Sequence, residues 1–189
     1  MLTGTVQGTL HSVNAETGQE KWRRDLGSPI TTSPSASTAD IYVGTADGLL
    51  HRVEVDGGGV LGSQKLDPVL TPTSVPVRLT ESILVLLNDT SANYRVVVSL
   101  DARLTHINWR LAADDRWSTS RIFAWGDLVV LGTPSGDAVA YCKDTGAKSW
   151  TRTVKGPVRA IGGSGDTLLV GTSKGGLSAF RAPRSCRPN

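Results

Sequence analysis

Few side chains in this chain of 189 residues are of a type and spacing that could do chemistry. Cys142 and Cys186 are its two cysteines, neither in a CxxC arrangement nor adjacent to the other. Such a pair forms no metal motif and leaves the redox compartment open. Of the three histidines, His11 ("GTLHSV") and His51 ("GLLHRV") sit in matching surroundings, and His106 stands alone. Matching positions in separate repeated units lie far apart in space, so a joint metal site is not expected. Asp114 and Asp115 form an acidic pair that reads as solvated charge in a connecting loop. No GxSxG, P-loop or HExxH phrase occurs. Asn88-Asp89-Thr90 has the form of a glycosylation acceptor, which matters only in a secreted eukaryotic protein.

The scaffold that would hold these groups is written in repeats. "NAETGQEKW" (Asn14 to Trp22) returns as "CKDTGAKSW" (Cys142 to Trp150). Gly8, Leu10, His11, Val13 and Leu26 fall on Gly48, Leu50, His51, Val53 and Leu66, each shifted by 48 − 8 = 40. Trp22 then falls on Gly62, so this copy has lost its aromatic residue. A third copy matches Ala102 and Trp109 to Ala15 and Trp22 but carries "ARLTHIN" in place of the Thr-Gly turn. Upstream of the copies, "DIYVGTADG", "DLVVLGTPSG" and "DTLLVGTSKG" repeat one pattern: a β-branched apolar run, Gly-Thr, and a turn ending in glycine. That is strand, tight turn, strand.

One unit thus reads as four strands over roughly forty residues, the length of a propeller blade. The second unit predicts strands at Ile30 to Ala36, Ile41 to Thr45, Gly48 to Val55 and Val60 to Leu66. The proline-rich "DPVLTPTSVPV" reads as a loop between blades, and Asn88 to Asn93 as a longer polar loop inside the third unit. No stretch repeats apolar residues at helical spacing, so helices should be few or absent. The fold class expected is all-β, a β-propeller of four-stranded antiparallel blades with about four repeats: three complete, and partial blades at both termini. Residues 1–181 form the repeat region and 182–189 a basic tail, with Arg181, Arg184 and Arg187 close together, read as a solvated, frayed end. Closing the ring with these termini would place a third strand twice, near Leu10 and near Leu177. The expectation is therefore a section of a larger propeller whose open strand edges invite self-association.

The phrase A-x-(D/E)-x-x-T-G-x-x-x-W, paired with "YVGTADG", resembles the PQQ-like (quinoprotein-type) propeller repeat and its tryptophan-docking motif. The resemblance runs from Gly4 to about Phe180. It implies that Trp22, Trp109 and Trp150 dock blade on blade, and that the junction at Gly62 is weaker. The turn residues themselves, Thr17, Gly18, Thr145 and Gly146, have types suited to a tight hairpin.

Some members of the resembled family are calcium- and PQQ-dependent dehydrogenases, which need adjacent cysteines and a clustered set of calcium ligands. Neither is legible here, so no catalytic, cofactor-binding or metal residue and no cofactor is expected. The leading function is a non-catalytic scaffold that binds a protein or ligand; the alternative is part of a quinoprotein dehydrogenase. A protein partner is expected, without nucleic acid. Net charge is only +3, and of five tryptophans only Trp117 and Trp125 are left for stacking. The longest apolar runs, such as Ile83 to Leu87, are far short of a membrane span. "MLTGTVQGTL" shows no secretion leader, while the resemblance implies an extracytoplasmic or periplasmic location.

Overall fold

The computed structural model describes residues 1–89, 94–112 and 121–186, and among them every regular element is a β-strand. Nineteen strands form five antiparallel sheets in chain order. The first blade holds β1 (Leu2–Gly4), β2 (Thr9–Val13) and β3 (Glu20–Asp25). The second holds β4 (Ser35–Ala36), β5 (Asp40–Gly44), β6 (Leu49–Glu54) and β7 (Val60–Lys65). In the third, β8 (Thr71–Pro72) and β9 (Val77–Arg78) both pair with β10 (Ser82–Asp89), followed by β11 (Tyr94–Asp101) and β12 (Ile107–Ala112). The fourth holds β13 (Phe123–Trp125), β14 (Leu128–Gly132), β15 (Asp137–Cys142) and β16 (Lys148–Thr153). The fifth holds β17 (Val158–Ser164), β18 (Thr167–Thr172) and β19 (Leu177–Arg181).

The repeats therefore become blades, three complete and one partial at each end. Among the described residues the first blade has no innermost strand and the fifth no outermost.

Because side chains alternate across a strand, each blade offers one face to each neighbour. Ile41 and Val43 of β5 pack back on Leu10, while Tyr42 between them packs forward on Ile83 and Val85. Val129 and Leu131 of β14 face the third blade, and Leu128 and Val130 face the fifth. This two-sided burial explains why the second strand of each unit is an unbroken apolar run. Among the described residues four apolar clusters result, one at each junction of consecutive blades, and none joins the first blade to the fifth.

Three expectations are corrected. The innermost strand of the second blade is not continuous from Ile30 to Ala36: it makes one bridge at Ile30 to Thr45, then pairs again at Ser35 and Ala36. Pro34 has no N–H to donate to a ladder, and the chain bulges before it. The Thr32 hydroxyl fills the gap by accepting the Gly44 N–H at 2.8 Å. "DPVLTPTSVPV" contains the innermost strand of the third blade, interrupted in the same way before Pro76; there Ser74 Oγ accepts the Leu86 N–H at 3.3 Å. Asn88 and Asp89 are not loop residues but extend β10, paired with Arg95 and Tyr94.

The tail differs too. Residues 182–186 are fixed across the end of the fourth blade, where Asp127 N–H bonds the Arg184 carbonyl at 2.7 Å and Cys186 is joined to Cys142 by a disulfide.

Candidate functional site: the blade junctions

The singled-out residues lie at the junctions, on the outermost strands and the hairpin turns before them. Trp22 on β3 donates its indole N–H to the Val55 carbonyl of the next blade at 2.8 Å. Trp109 on β12 donates to Lys143 at 2.9 Å, and Trp150 on β16 to Pro183 at 3.3 Å. Donor and acceptor are 33, 34 and 33 residues apart, a shift of one unit along the chain. Each indole is half-buried: its ring removes apolar area from water and its N–H is satisfied by backbone.

The turn that receives a tryptophan must come close to it. Gly146 has φ 70°, and a Cβ there would lie 3.0 Å from the Trp109 ring. Gly58 has φ 66°, and its Cβ would lie 2.6 Å from Trp22. Gly18 occupies the same place in the first blade, with φ 72° and nothing within 4 Å of a Cβ. Thr17 and Thr145 sit one residue earlier; their hydroxyls accept the Gln19 and Ala147 N–H groups at 3.4 and 3.2 Å.

The third turn is built otherwise. Asp101 accepts backbone N–H groups from Arg103, Thr105 and His106 at 3.1, 2.7 and 2.7 Å. Leu104 takes the left-handed conformation usually reserved for glycine (φ 61°) and is buried in the apolar cluster below. Burial tends to raise the Asp101 carboxyl, but these hydrogen bonds outweigh it and hold it below the usual carboxylate range.

Two features that sequence reasoning missed explain the exception at Gly62. Trp22, Trp109 and Trp150 stand opposite Ser12, Ser99 and Ala140 on the neighbouring strand, all small. Gly62 stands opposite Arg52, whose Nε binds Asp40 at 2.9 Å. Tyr42, fully buried, donates its hydroxyl to the Ala102 carbonyl at 2.7 Å. Ala102 follows Asp101 as Val55 follows Glu54 and Lys143 follows Cys142, so tyrosine serves the carbonyl that tryptophan serves elsewhere. Arg110 adds a contact to Asp67 at 3.2 Å and one to the Leu66 carbonyl. The signal was present as Tyr42 standing where β14 has valine, but it pointed to no partner without the register.

Trp125 is buried, meets Trp150 edge-on at 6.4 Å and donates to the Gly165 carbonyl at 3.2 Å, so its ring is closed to stacking by a nucleic acid. Trp117, Asp114 and Asp115 lie outside the described residues, as does Thr90 of the glycosylation-like triplet.

The histidines do not converge. His11 Nδ1 lies 2.7 Å from Glu20, and His106 Nδ1 lies 3.4 Å from Asp101. His51 is buried: its Nε2 is 3.1 Å from Thr45 Oγ1, which donates to Asp47 at 2.6 Å, and its Nδ1 is 2.8 Å from Ser63 Oγ. Since Thr45 gives its proton to Asp47, Nε2 carries the histidine proton and Nδ1 accepts from Ser63. Burial depresses the His51 pKa against the opposing pull of Asp47. The network ties the middle turn to the two outer strands of the second blade.

The donor set does not suit calcium and a quinone. Among the described residues no three His, Cys, Asp or Glu side chains gather as metal ligands, and both cysteines are used in one disulfide.

The family model for the outer membrane protein assembly factor BamB matches residues 1–160 and 93–183. The chain belongs to that family. No curated protein matches it in sequence. The crystal structure of BamB from Moraxella catarrhalis superposes with a TM-score of 0.76 at 18% identity, covering 96% of this chain and 54% of that one. Saccharomyces cerevisiae Sqt1 gives 0.76 at 14% identity with 96% and 54% covered. The computationally designed Ika4 protein gives 0.66 at 14% identity, with 91% of this chain and 96% of that chain covered. At these identities the likeness shows the fold alone. The chain spans about half the length of the BamB and Sqt1 chains it matches.

Proposed function

We propose that this chain is a non-catalytic propeller section that serves as a rigid scaffold for a protein partner. Residues 1–181 form the scaffold and 182–189 its tail. Trp22, Trp109 and Trp150 dock each blade on the next, with Thr17, Gly18, Thr145 and Gly146 shaping the receiving turns. The observation that carries the reading is the recurrence of one bond, indole N–H to a carbonyl 33 or 34 residues ahead, at three of the four junctions. A chain that uses three tryptophans to fix blade to blade is built for shape, and among the described residues no three His, Cys, Asp or Glu side chains gather as metal ligands. A match to an outer membrane assembly factor supports a partner in that machinery.

The compartment we assign is extracytoplasmic. The family match supports it, and so does the Cys142–Cys186 disulfide, a bond that persists in oxidising surroundings and is rare in the cytosol. Fractionation of the source cells with thiol labelling tests this: unlabelled, oxidised protein in the envelope fraction is expected, and free thiols in the cytosol would refute it. Calorimetry with calcium and PQQ tests the non-catalytic reading. Saturable binding together with quinone-dependent dye reduction would sink it.

A further inference from the structure

Opposite the docking turns, the fourth and fifth blades carry the turns after β14 and β18 and the connection from β16 to β17. These three segments form one bonded surface. The Thr133 carbonyl accepts the Val158 N–H at 3.0 Å, and the Pro157 carbonyl accepts the Ser173 N–H at 3.0 Å. Lys155, Arg159 and Lys174 stand on it, all exposed. Lys174 lies along the connection, since a Cβ on Gly156 (φ 99°) would be 3.1 Å from its Cδ. Arg159 is the unpaired residue of the bulge that opens β17.

The fold does not use these charges. Among the described residues none of the three forms an ion pair. Asp137 is the one described acid of these two blades at this end, and it accepts the Thr153 hydroxyl at 2.6 Å. Asp127, Asp144 and Asp166 lie at the opposite end.

The second blade is the contrast. Its turn has Asp47 where the fifth blade has Lys174, and the connection after it has Asp67 where Lys155 stands. Both aspartates hold backbone turns together: Asp47 accepts the Thr45 hydroxyl at 2.6 Å, and Asp67 accepts the Val69 and Leu70 N–H groups at 2.9 and 3.0 Å. A lysine ammonium accepts nothing. In the fifth blade the Thr172 hydroxyl closes the turn instead, accepting the Gly176 N–H at 3.2 Å. The same two places thus carry negative charge that the fold needs and positive charge that it does not.

Blade-to-blade contacts lie on the sheet faces, and Lys174 lies back toward the fourth blade, so this end stays open whatever stands beside the fifth.

We propose that the surface bearing Lys155, Arg159 and Lys174 binds an acidic, extended segment of a protein partner. Alternate side chains of such a segment recur about every 7 Å, which lets separate carboxylates meet separate cations. Complementary charge of this kind sets partner choice and encounter rate more than affinity. The described tryptophans of these blades, Trp125 and Trp150, bond carbonyls at the opposite end, so a nucleic acid finds neither to stack on. The proposal rests on the scaffold reading and names the chemistry of the partner that the scaffold holds.

The test uses two synthetic nine-residue peptides, alternating Ser with Glu or Ser with Gln, and the full chain under oxidising conditions. By fluorescence anisotropy at low salt, three exposed ion pairs should make the Glu peptide bind about five-fold tighter than the Gln peptide, and the preference should vanish in about 1 M salt. Lys155→Ser with Lys174→Ser should abolish most of the preference at an unchanged melt. Lys21→Ser with Arg23→Ser, which removes equal charge from the first blade, should leave it intact. Equal binding of both peptides, or equal weakening by both double variants, would overturn the proposal, the second result because net charge alone would then explain the binding. Should the first double variant not fold, amide shifts in the parent chain decide: changes centred on Lys155, Gly156 and Lys174 support the surface, and changes elsewhere sink it. Tighter binding of single-stranded oligothymidine or of phosphatidylglycerol vesicles, lost in the same double variant, would assign the surface to another class of partner and refute the peptide. None of these failures touches the scaffold reading, which stands or falls on the quinone and fractionation measurements.

Discussion

Replacing Tyr42 by phenylalanine removes one atom from the junction between the second and third blades. The ring stays in its apolar cluster with Leu50, Ile83 and Val85, so no cavity opens. What is lost is the hydroxyl bond to the Ala102 carbonyl. Burial first, and Asp40 second, raise the Tyr42 pKa, so the hydroxyl remains a donor throughout the neutral range. A lost bond that leaves an acceptor part-buried costs about 1–2 kcal/mol. For a chain of this size that lowers the melting temperature by roughly 2–8 °C. The decisive assay is a double-mutant cycle in urea. Arg52→Ser with Gly62→Trp recreates at this junction the pairing of Ser12 with Trp22 and supplies a second donor to Ala102. In that background Tyr42→Phe should cost markedly less than in the parent. Equal costs in both would show that tyrosine and tryptophan do not compete for one carbonyl, and the compensation described here would be wrong.

Reducing the Cys142–Cys186 disulfide, or replacing both cysteines by serine, opens a loop of 44 residues and should cost at most about 4 kcal/mol of stability; calorimetry with and without reductant measures it. Asp101→Ala strips three N–H bonds from the third turn and should cost on the order of 2–3 kcal/mol, more than Asp144→Ala in the Thr-Gly turn, by urea titration. Acid should destabilise the fold in two stages. His51 is depressed in the folded chain, so the unfolded chain binds more protons as pH falls below about 6.5. Asp47, Asp67 and Asp101 are held low by hydrogen bonds that outweigh their burial, and their contribution is lost below about pH 4. His51→Gln should remove the upper stage alone, and a stability profile flat from pH 7 to 5 would contradict the assignment.

The blade count and the order of strands were legible because each depends on local chemistry that repeats. An apolar run of period one, a glycine turn and a tryptophan four residues beyond it name their own places. What was not legible depended on register. Nothing local in "YVGT" says that Tyr42 reaches a carbonyl sixty residues on. Likewise Cys142 and Cys186 meet only because the tail crosses the fourth blade. The innermost strands were misjudged for a different reason. The sequence reads as unbroken strand across Pro34 and as loop around Pro76; at both, a side-chain oxygen, from Thr32 or Ser74, replaces the missing ladder partner and lets the strand resume.

The pairing of Arg52 with Gly62 shows why such a repeat can lose its most conspicuous residue without losing a blade. The cross-strand neighbour sets how much room the outer strand has, and serine or alanine leaves space for an indole while arginine does not. Once Arg52 is engaged by Asp40, a tryptophan at 62 would have to displace it, and the carbonyl of the next turn would stand without a donor unless one came from another strand. Tyr42 is the residue placed to do this, since β5 alternates and its middle side chain already faces forward. The unit conserved from blade to blade is thus neither tryptophan nor turn but a satisfied carbonyl beneath an aromatic ring.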